Sequence, residues 1–157
     1  MNELRELYQE MILEHGRHPR NCCLLADANR QAEGFNRLCG DQLTVYLRIQ
    51  QGIIEAVCFT GSGCAISMAS ASLMSEALTG KTEAEAQRLF SLFHTLVTTD
   101  APPSTEPSFT KLAVFSGVKA YPARVKCATL AWHTLQAALT KKRILFPRNK
   151  APFYVKV

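Results

Sequence analysis

Four residues in this 157-residue sequence are candidates, by type and setting, for binding a metal ion or carrying sulfur chemistry: Cys39, Asp41, Cys64 and Cys127. Cys39 and Asp41 flank Gly40, whose conformational freedom lets a thiolate and a carboxylate face the same point. Cys64 follows Gly61-Ser62-Gly63 and opens an expected helix. Cys127 falls in the expected first turn of the last helix, with Arg124 and Lys126 beside it. A helix N-terminus offers unpaired N–H groups and a partial positive charge, which favour thiolate over thiol. Thiolate is the form that binds metal and attacks sulfur. Three thiolates and one carboxylate suit tetrahedral zinc, and by ligand softness the same set suits iron–sulfur chemistry. Spacing alone does not decide the matter. There is no paired C-x-x-C knuckle, the ligands would come from three separate segments, and free cysteines are among the most often buried residues.

Other patterns carry less. Gly61-Ser62-Gly63 between a strand and a helix mimics a dinucleotide fingerprint, but Ile66 stands where the third glycine belongs and the preceding strands read as a hairpin. These glycines are better read as letting the backbone turn tightly around the Cys64 sulfur. Cys22 and Cys23 add thiols in a loop near the site and read as packing or exposed side chains, and Cys58 reads as a buried strand residue. His15, His18, His94 and His133 read as structural or surface groups.

The elements that must position these residues follow from periodicity. Residues 3–16 place Leu4, Leu7, Tyr8, Met11 and Ile12 on one helical face, with Asn2 as a cap. Residues 17–41 show no clear period and read as loop, with a third strand somewhere in 20–38. Alternation over 42–50 predicts a strand with one buried face, and Gln50-Gln51-Gly52 turns it into a second strand over 53–60. Residues 64–78 read as a small-sided helix. Thr82 and Glu85 form a capping box for a helix over about 83–97. A short helix is expected over 109–117, and after Pro122 a last helix over about 124–141. Helix, sheet, then helices argue an α+β two-layer fold. The whole of 1–157 reads as one domain with a basic tail over about 142–157.

Length and composition fit a globular domain with a real core. No apolar run approaches the roughly 20 residues that span a bilayer, and the N-terminal residues lack a signal-peptide pattern, so a cytoplasmic location is expected. Six cysteines in that setting argue against a disulfide scaffold. Residues 1–106 hold 8 Lys and Arg against 13 Asp and Glu, a net of −5, whereas residues 107–157 hold 10 Lys and Arg and no acid. A basic helix and tail of this kind reads as a solvated face or a protein-docking surface. No nucleic-acid-reading motif is visible, so neither nucleic acid nor membrane is expected as a partner.

The segments LYQEMILEHGRHPRN, CGDQL, FTGSGCAISMASASLMSEALTGK and YPARVKCATLAW run in one order over roughly residues 4–140. In these blocks the chain resembles the SufU branch of the IscU/NifU family of iron–sulfur assembly proteins. The resemblance implies a three-stranded antiparallel sheet packed by about five helices. It also implies a metal or cluster site made of Cys39, Asp41, Cys64 and Cys127. Scaffold-type members carry a histidine before the last cysteine, where this chain has Lys126. They also carry a Leu-Pro-Pro-Val-Lys motif, where this chain has Tyr121-Pro122-Ala123-Arg124-Val125-Lys126. The extra stretch near 99–118 looks like the SufU insertion, while Cys22, Cys23 and the long tail depart from the family pattern.

What the SufU resemblance implies is a zinc-dependent sulfurtransferase. Cys39 would take persulfide sulfur from a cysteine desulfurase, with a downstream cluster scaffold as a further partner, and Arg124, by its place beside Cys127, is read as steadying the released thiolate or the Cys39 loop. The alternatives are a scaffold that assembles a [2Fe–2S] cluster on the same residues, and a non-catalytic module in which zinc is purely structural.

Overall fold

A computed structural model describes residues 2–140 and 153–156. Helix α1 spans Asn2–Arg17, so Asn2 lies inside the helix rather than capping it. Strands β1 (Arg30–Asn36), β2 (Asp41–Gln50) and β3 (Ile53–Ser62) follow. Helices α2 (Ala65–Leu78) and α3 (Glu83–Thr98) come next, then a run of 3-10 turns (Pro107–Ala120), helix α4 (Pro122–Thr140) and strand β4 (Phe153–Lys156). The three strands and five helical segments of the expected α+β fold are present. The tail adds a fourth strand, giving the antiparallel order β3-β2-β1-β4. The rest of the tail, residues 141–152 and 157, lies outside the described residues.

The β2–β3 hairpin has the turn its sequence predicts. Gln51 and Gly52 both take positive φ, 53° and 76°, the signature of a type I′ turn whose twist matches the strands it joins. Leu43, Val45, Leu47 and Ile49 alternate inward from β2, against Val57 and Phe59 of β3. The capping box of α3 is formed, with the Thr82 hydroxyl accepting from the Glu85 N–H at 3.1 Å and the Glu85 carboxylate accepting from the Thr82 N–H at 3.3 Å. Between Pro107 and Ala120 the buried Phe109, Leu112, Phe115 and Val118 recur every third residue. A 3-10 helix has three residues per turn and aligns positions i and i+3, so this spacing suits it better than an α-helix.

Helix α2 runs through the centre. Ser67, Ser70, Ser72 and Ser75 are fully buried on it, together with Ala69 and Ala71. Small side chains let α1, α4 and β3 approach from different sides, and each buried hydroxyl finds a partner. The Ser70 hydroxyl donates to the Ala128 carbonyl at 2.6 Å and accepts from Trp132 Nε1 at 3.2 Å. Ser72 Oγ accepts from the Arg20 N–H at 2.9 Å and pairs with His15 Nδ1 at 2.8 Å. Trp132 stacks on Phe93 with ring centroids 4.7 Å apart, and Phe93 meets Phe115 edge-on, which ties α4, α3 and the 3-10 run together.

His133, on α4, packs its ring edge-on to Phe90 at 5.2 Å. Burial first, then the nearby His94, pulls its pKa down to about 4, so the folded protein holds it neutral. The unfolded chain takes up this proton near pH 6.5 and the folded chain only near pH 4. Its share of stability is therefore intact above pH 6.5 and is lost as pH falls toward 4, by about 3 kcal/mol in all. His15, whose pKa burial also lowers, acts in the same direction. Urea unfolding of metal-free protein should show this loss, and His133→Leu should flatten it. An identical pH slope in parent and variant would refute the assignment.

Candidate functional site

The site is built around the turn between β1 and β2. Asn36 and Asp41 form the last register pair of that hairpin, and residues 37–40 make the turn. Gly40 supplies the positive φ, 70°, that closes it. Cys39 stands exposed in this turn, while Asp41 is only 2% exposed. Burying a carboxylate is costly unless it is hydrogen-bonded. Here Oδ1 accepts from the Cys64 N–H at 2.9 Å and from the Ser67 hydroxyl at 3.1 Å, and Oδ2 accepts from Asn36 Nδ2 at 3.2 Å. The Asn36 amide also donates to Cys127 Sγ at 3.6 Å. Asn36 thus holds a carboxylate and a thiol together from a fully buried position.

Cys39, Asp41 and Cys127 bring their ligand atoms within 4.8 Å of one another, a group that could hold a metal ion. Cys64 lies outside that trio but adjoins it, through its N–H on Asp41 and its sulfur against Cys127. The Cys127 thiol donating to Cys64 is the main cause that holds Cys64 down to about 6 against the opposing effect of burial, and the Ser67 backbone adds to it. Cys127 is pushed strongly the other way by Cys64, burial, Cys39 and Asp41. Without a cation the two sulfurs oppose ionising together and share a proton between them. A metal ion would relieve that crowding by taking the proton's place.

Two expectations change. Cys127 is the sixth residue of α4, because Pro122 begins the helix instead of preceding it. It therefore lies beyond the unpaired N–H groups of the first turn, and the helix-end argument applies to Cys64 alone, the N-cap of α2. Arg124 is placed with its guanidinium 4.4 Å above the Tyr121 ring. It faces a 680 Å³ cleft that Leu4, Tyr8, Ile12, Val114 and Val118 also line, and it forms no hydrogen bond with Cys39 among the described residues.

Asn36 and Ser67 were not legible as site residues. Asn36 sits in a strand whose alternation is masked by small residues. Ser67 had one usable signal, its position three residues after Cys64, where a side chain reaches back over a helix start. The expected tight turn at the glycines has a specific cause. A Cβ on Gly61 would strike the Gln42 carbonyl, and one on Gly63 would strike Ser67 Oγ and lie 2.6 Å from Asp41 Oδ1.

Gly63→Ala should therefore displace the Asp41 carboxylate. Loss of a group that orients ligands typically costs roughly 10- to 100-fold in metal affinity. Competition with a chromophoric zinc chelator should show a weakening of that order with the circular dichroism spectrum retained. Parent-like affinity would mean that the Asp41 cradle is unimportant for metal binding.

The NifU-like N terminal domain family model matches residues 7–143. The iron-sulfur cluster assembly scaffold protein IscU of Thermotoga maritima is 38% identical over 136 residues, covering 86% of this chain and 94% of its own length. The zinc-dependent sulfurtransferase SufU of Bacillus subtilis is 33% identical over 139 residues, covering 88% and 93%. A crystal structure of an iron-sulfur cluster assembly scaffold protein for the SUF system from Fervidobacterium islandicum AW-1 aligns with TM-score 0.77 at 35% identity, over 83% of this chain and 94% of that one. No helix among the described residues is long and apolar enough to cross a membrane. The chain belongs to the NifU-like N-terminal domain family, alongside the IscU and SufU proteins of iron–sulfur cluster assembly.

Proposed function

We propose that this chain accepts sulfur for iron–sulfur cluster biogenesis, as a zinc-dependent sulfurtransferase working with a cysteine desulfurase. The observation that carries the reading is the contrast within one cluster. Cys39 is exposed on a glycine-hinged turn, while Asp41 and Cys127 are buried beside it and Cys64 is fixed at a helix start. Zinc fits this donor set, since thiolates and a carboxylate are its usual ligands in the absence of redox chemistry. Asp41, Cys64 and Cys127 would hold it with Cys39 as the displaceable ligand. When bound, zinc keeps thiolates deprotonated and ordered at neutral pH.

The reacting group is the Cys39 thiolate. It attacks the outer sulfur of a persulfide on the desulfurase. A bond forms between Cys39 Sγ and that sulfur, the persulfide S–S bond breaks, and the partner's cysteine leaves as thiolate. Cys39 then carries the persulfide toward a downstream cluster scaffold. The turn of residues 37–40 can move without disturbing the sheet, because Asn36 and Asp41 close the ladder behind it. Arg124, held over the Tyr121 ring, is the basic side chain we assign to steadying the released thiolate or the Cys39 loop.

A second reading, assembly of a [2Fe–2S] cluster on the same four residues, is favoured by the scaffold description of the Thermotoga relative. Anaerobic reconstitution with iron and sulfide separates the two. A stable iron- and sulfide-bearing product supports the scaffold, and a zinc-retaining, iron-free product supports the sulfur acceptor.

Cys39→Ala should abolish stimulation of desulfurase turnover and the gain of one sulfur atom by mass, while retaining much of the zinc, because water can fill an open position. Parent-like stimulation by this variant would remove Cys39 as the acceptor. Cys64→Ala and Cys127→Ala should instead lower both zinc affinity and melting temperature, since metal binding contributes to folding. Equal melting temperatures with and without chelator would contradict a resident metal.

A further inference from the structure

A second group of thiols lies away from the Cys39 cluster. Cys22 and Cys23 stand in the segment between α1 and β1, and Cys58 in β3. From Cys58 to Ser62, β3 runs four residue steps, about 13 Å, before the chain turns toward Cys64. The segment is pinned in place. The Phe59 N–H donates to the Asn21 carbonyl at 3.0 Å, Asn21 Nδ2 donates to Ser75 Oγ at 2.9 Å, and the Arg20 N–H donates to Ser72 Oγ at 2.9 Å. These bonds bring Cys23 onto β3, where its sulfur lies 3.2 Å from that of Cys58.

The two thiols differ in access. Cys23 is exposed, while Cys58 is 7% exposed and pairs across the ladder with Tyr46. Burial, then the hydrogen bond with Cys23, pushes the Cys58 thiol up to about 11, so it rests protonated behind its partner. Cys22, though adjacent in sequence, forms no hydrogen bond with Cys58 among the described residues. An exposed thiol in contact with a buried one, on segments already fixed by backbone bonds, needs an approach of only about 1.2 Å to reach S–S bonding distance.

We propose that Cys23 and Cys58 form a dithiol site that low-molecular-weight disulfides oxidise to an intramolecular disulfide, separate from the Cys39 site. The Cys23 thiolate attacks one sulfur of the small disulfide, whose S–S bond breaks to release one thiolate and leave a mixed disulfide on Cys23. Cys58 gives up its proton to solvent and attacks the Cys23 sulfur, releasing the second small thiolate. Two electrons pass from the two protein thiols to the small disulfide, which departs as two thiols. The product ties the segment before β1 covalently to β3 through a bond that involves none of Cys39, Asp41, Cys64 and Cys127.

Oxidised glutathione is the probe, applied to the reduced full chain, followed by alkylation and a chymotryptic map. Cleavage after Phe59 separates Cys58 from Cys64. The parent and Cys22→Ser should yield a linked Cys23–Cys58 peptide that dithiothreitol reverses. Cys23→Ser should not. In a Cys22→Ser background, Cys58→Ser should stop at the mixed disulfide, one glutathione heavier, because the second thiol is missing. A parent that accumulates glutathione on Cys23 without the link overturns the proposal. So does a link to Cys58 that survives in Cys23→Ser, or a parent that stays fully reduced. Cys23 is exposed and Ser nearly matches Cys in size, so the Cys23→Ser variant tests the site without disturbing the fold.

Discussion

The buried carboxylate of Asp41 is the constraint on which the site depends. A charge with so little access to water must have its acceptor positions filled, and its partners come from two separate parts of the chain. Asn36 arrives through the β1–β2 register, whereas the Cys64 N–H and the Ser67 hydroxyl arrive with the start of α2. Satisfying Asp41 therefore requires the hairpin and the helix to be docked together. Asn36 also donates to Cys127 Sγ, so the contacts that satisfy Asp41 extend to the α4 thiol that lies against Cys64.

The centre of the domain is arranged so that α2 and α4 can come close enough for this. A helix faced with leucines would hold its neighbours farther apart, whereas buried serines and alanines do not. Ser70 reaches both the Ala128 carbonyl and the Trp132 ring nitrogen, which lie one turn apart on α4. It sets the two helices in register immediately beside the residue that carries the Cys127 thiol. The aromatic stack of Phe93, Phe115 and Trp132 then fills the wider space behind it. Polar register near the site and aromatic volume away from it divide the packing between them.

Much of this was legible in the sequence. The β2–β3 hairpin and the capping box of α3 depend on local pattern, and local pattern is what a sequence displays, whereas the grouping of Cys39, Asp41 and Cys127 spans separate segments and was suggested by the family resemblance rather than by spacing. Strand β1 was harder because its inward positions are Ala32, Gly34 and Asn36, which lack the bulk that marks a buried face. The reason is tertiary: a Cβ on Gly34 would strike Thr134 Oγ1 of α4. Asn36 and Ser67 escaped notice for a related reason, since their importance comes from partners far along the chain. The place of Cys127 was misjudged by two residues because Pro122 was read as preceding the helix, when proline also starts helices well.

The outer sides of β1 and β3 are met by other parts of the chain, which leaves β4 as one margin of the sheet. β4 lies along β1, and β3 is met at Phe59 by the Asn21 carbonyl and at Ile54 by the segment 80–81. An exposed margin invites another chain to add a strand through backbone bonds, which is adhesive and indifferent to side-chain identity. Covering those positions removes that mode of contact there. What the surface leaves open beside Cys39 is Leu38 and its neighbours on a tight turn. A partner docking on that turn would be read through side-chain shape and charge, where single substitutions can retune which partner is admitted.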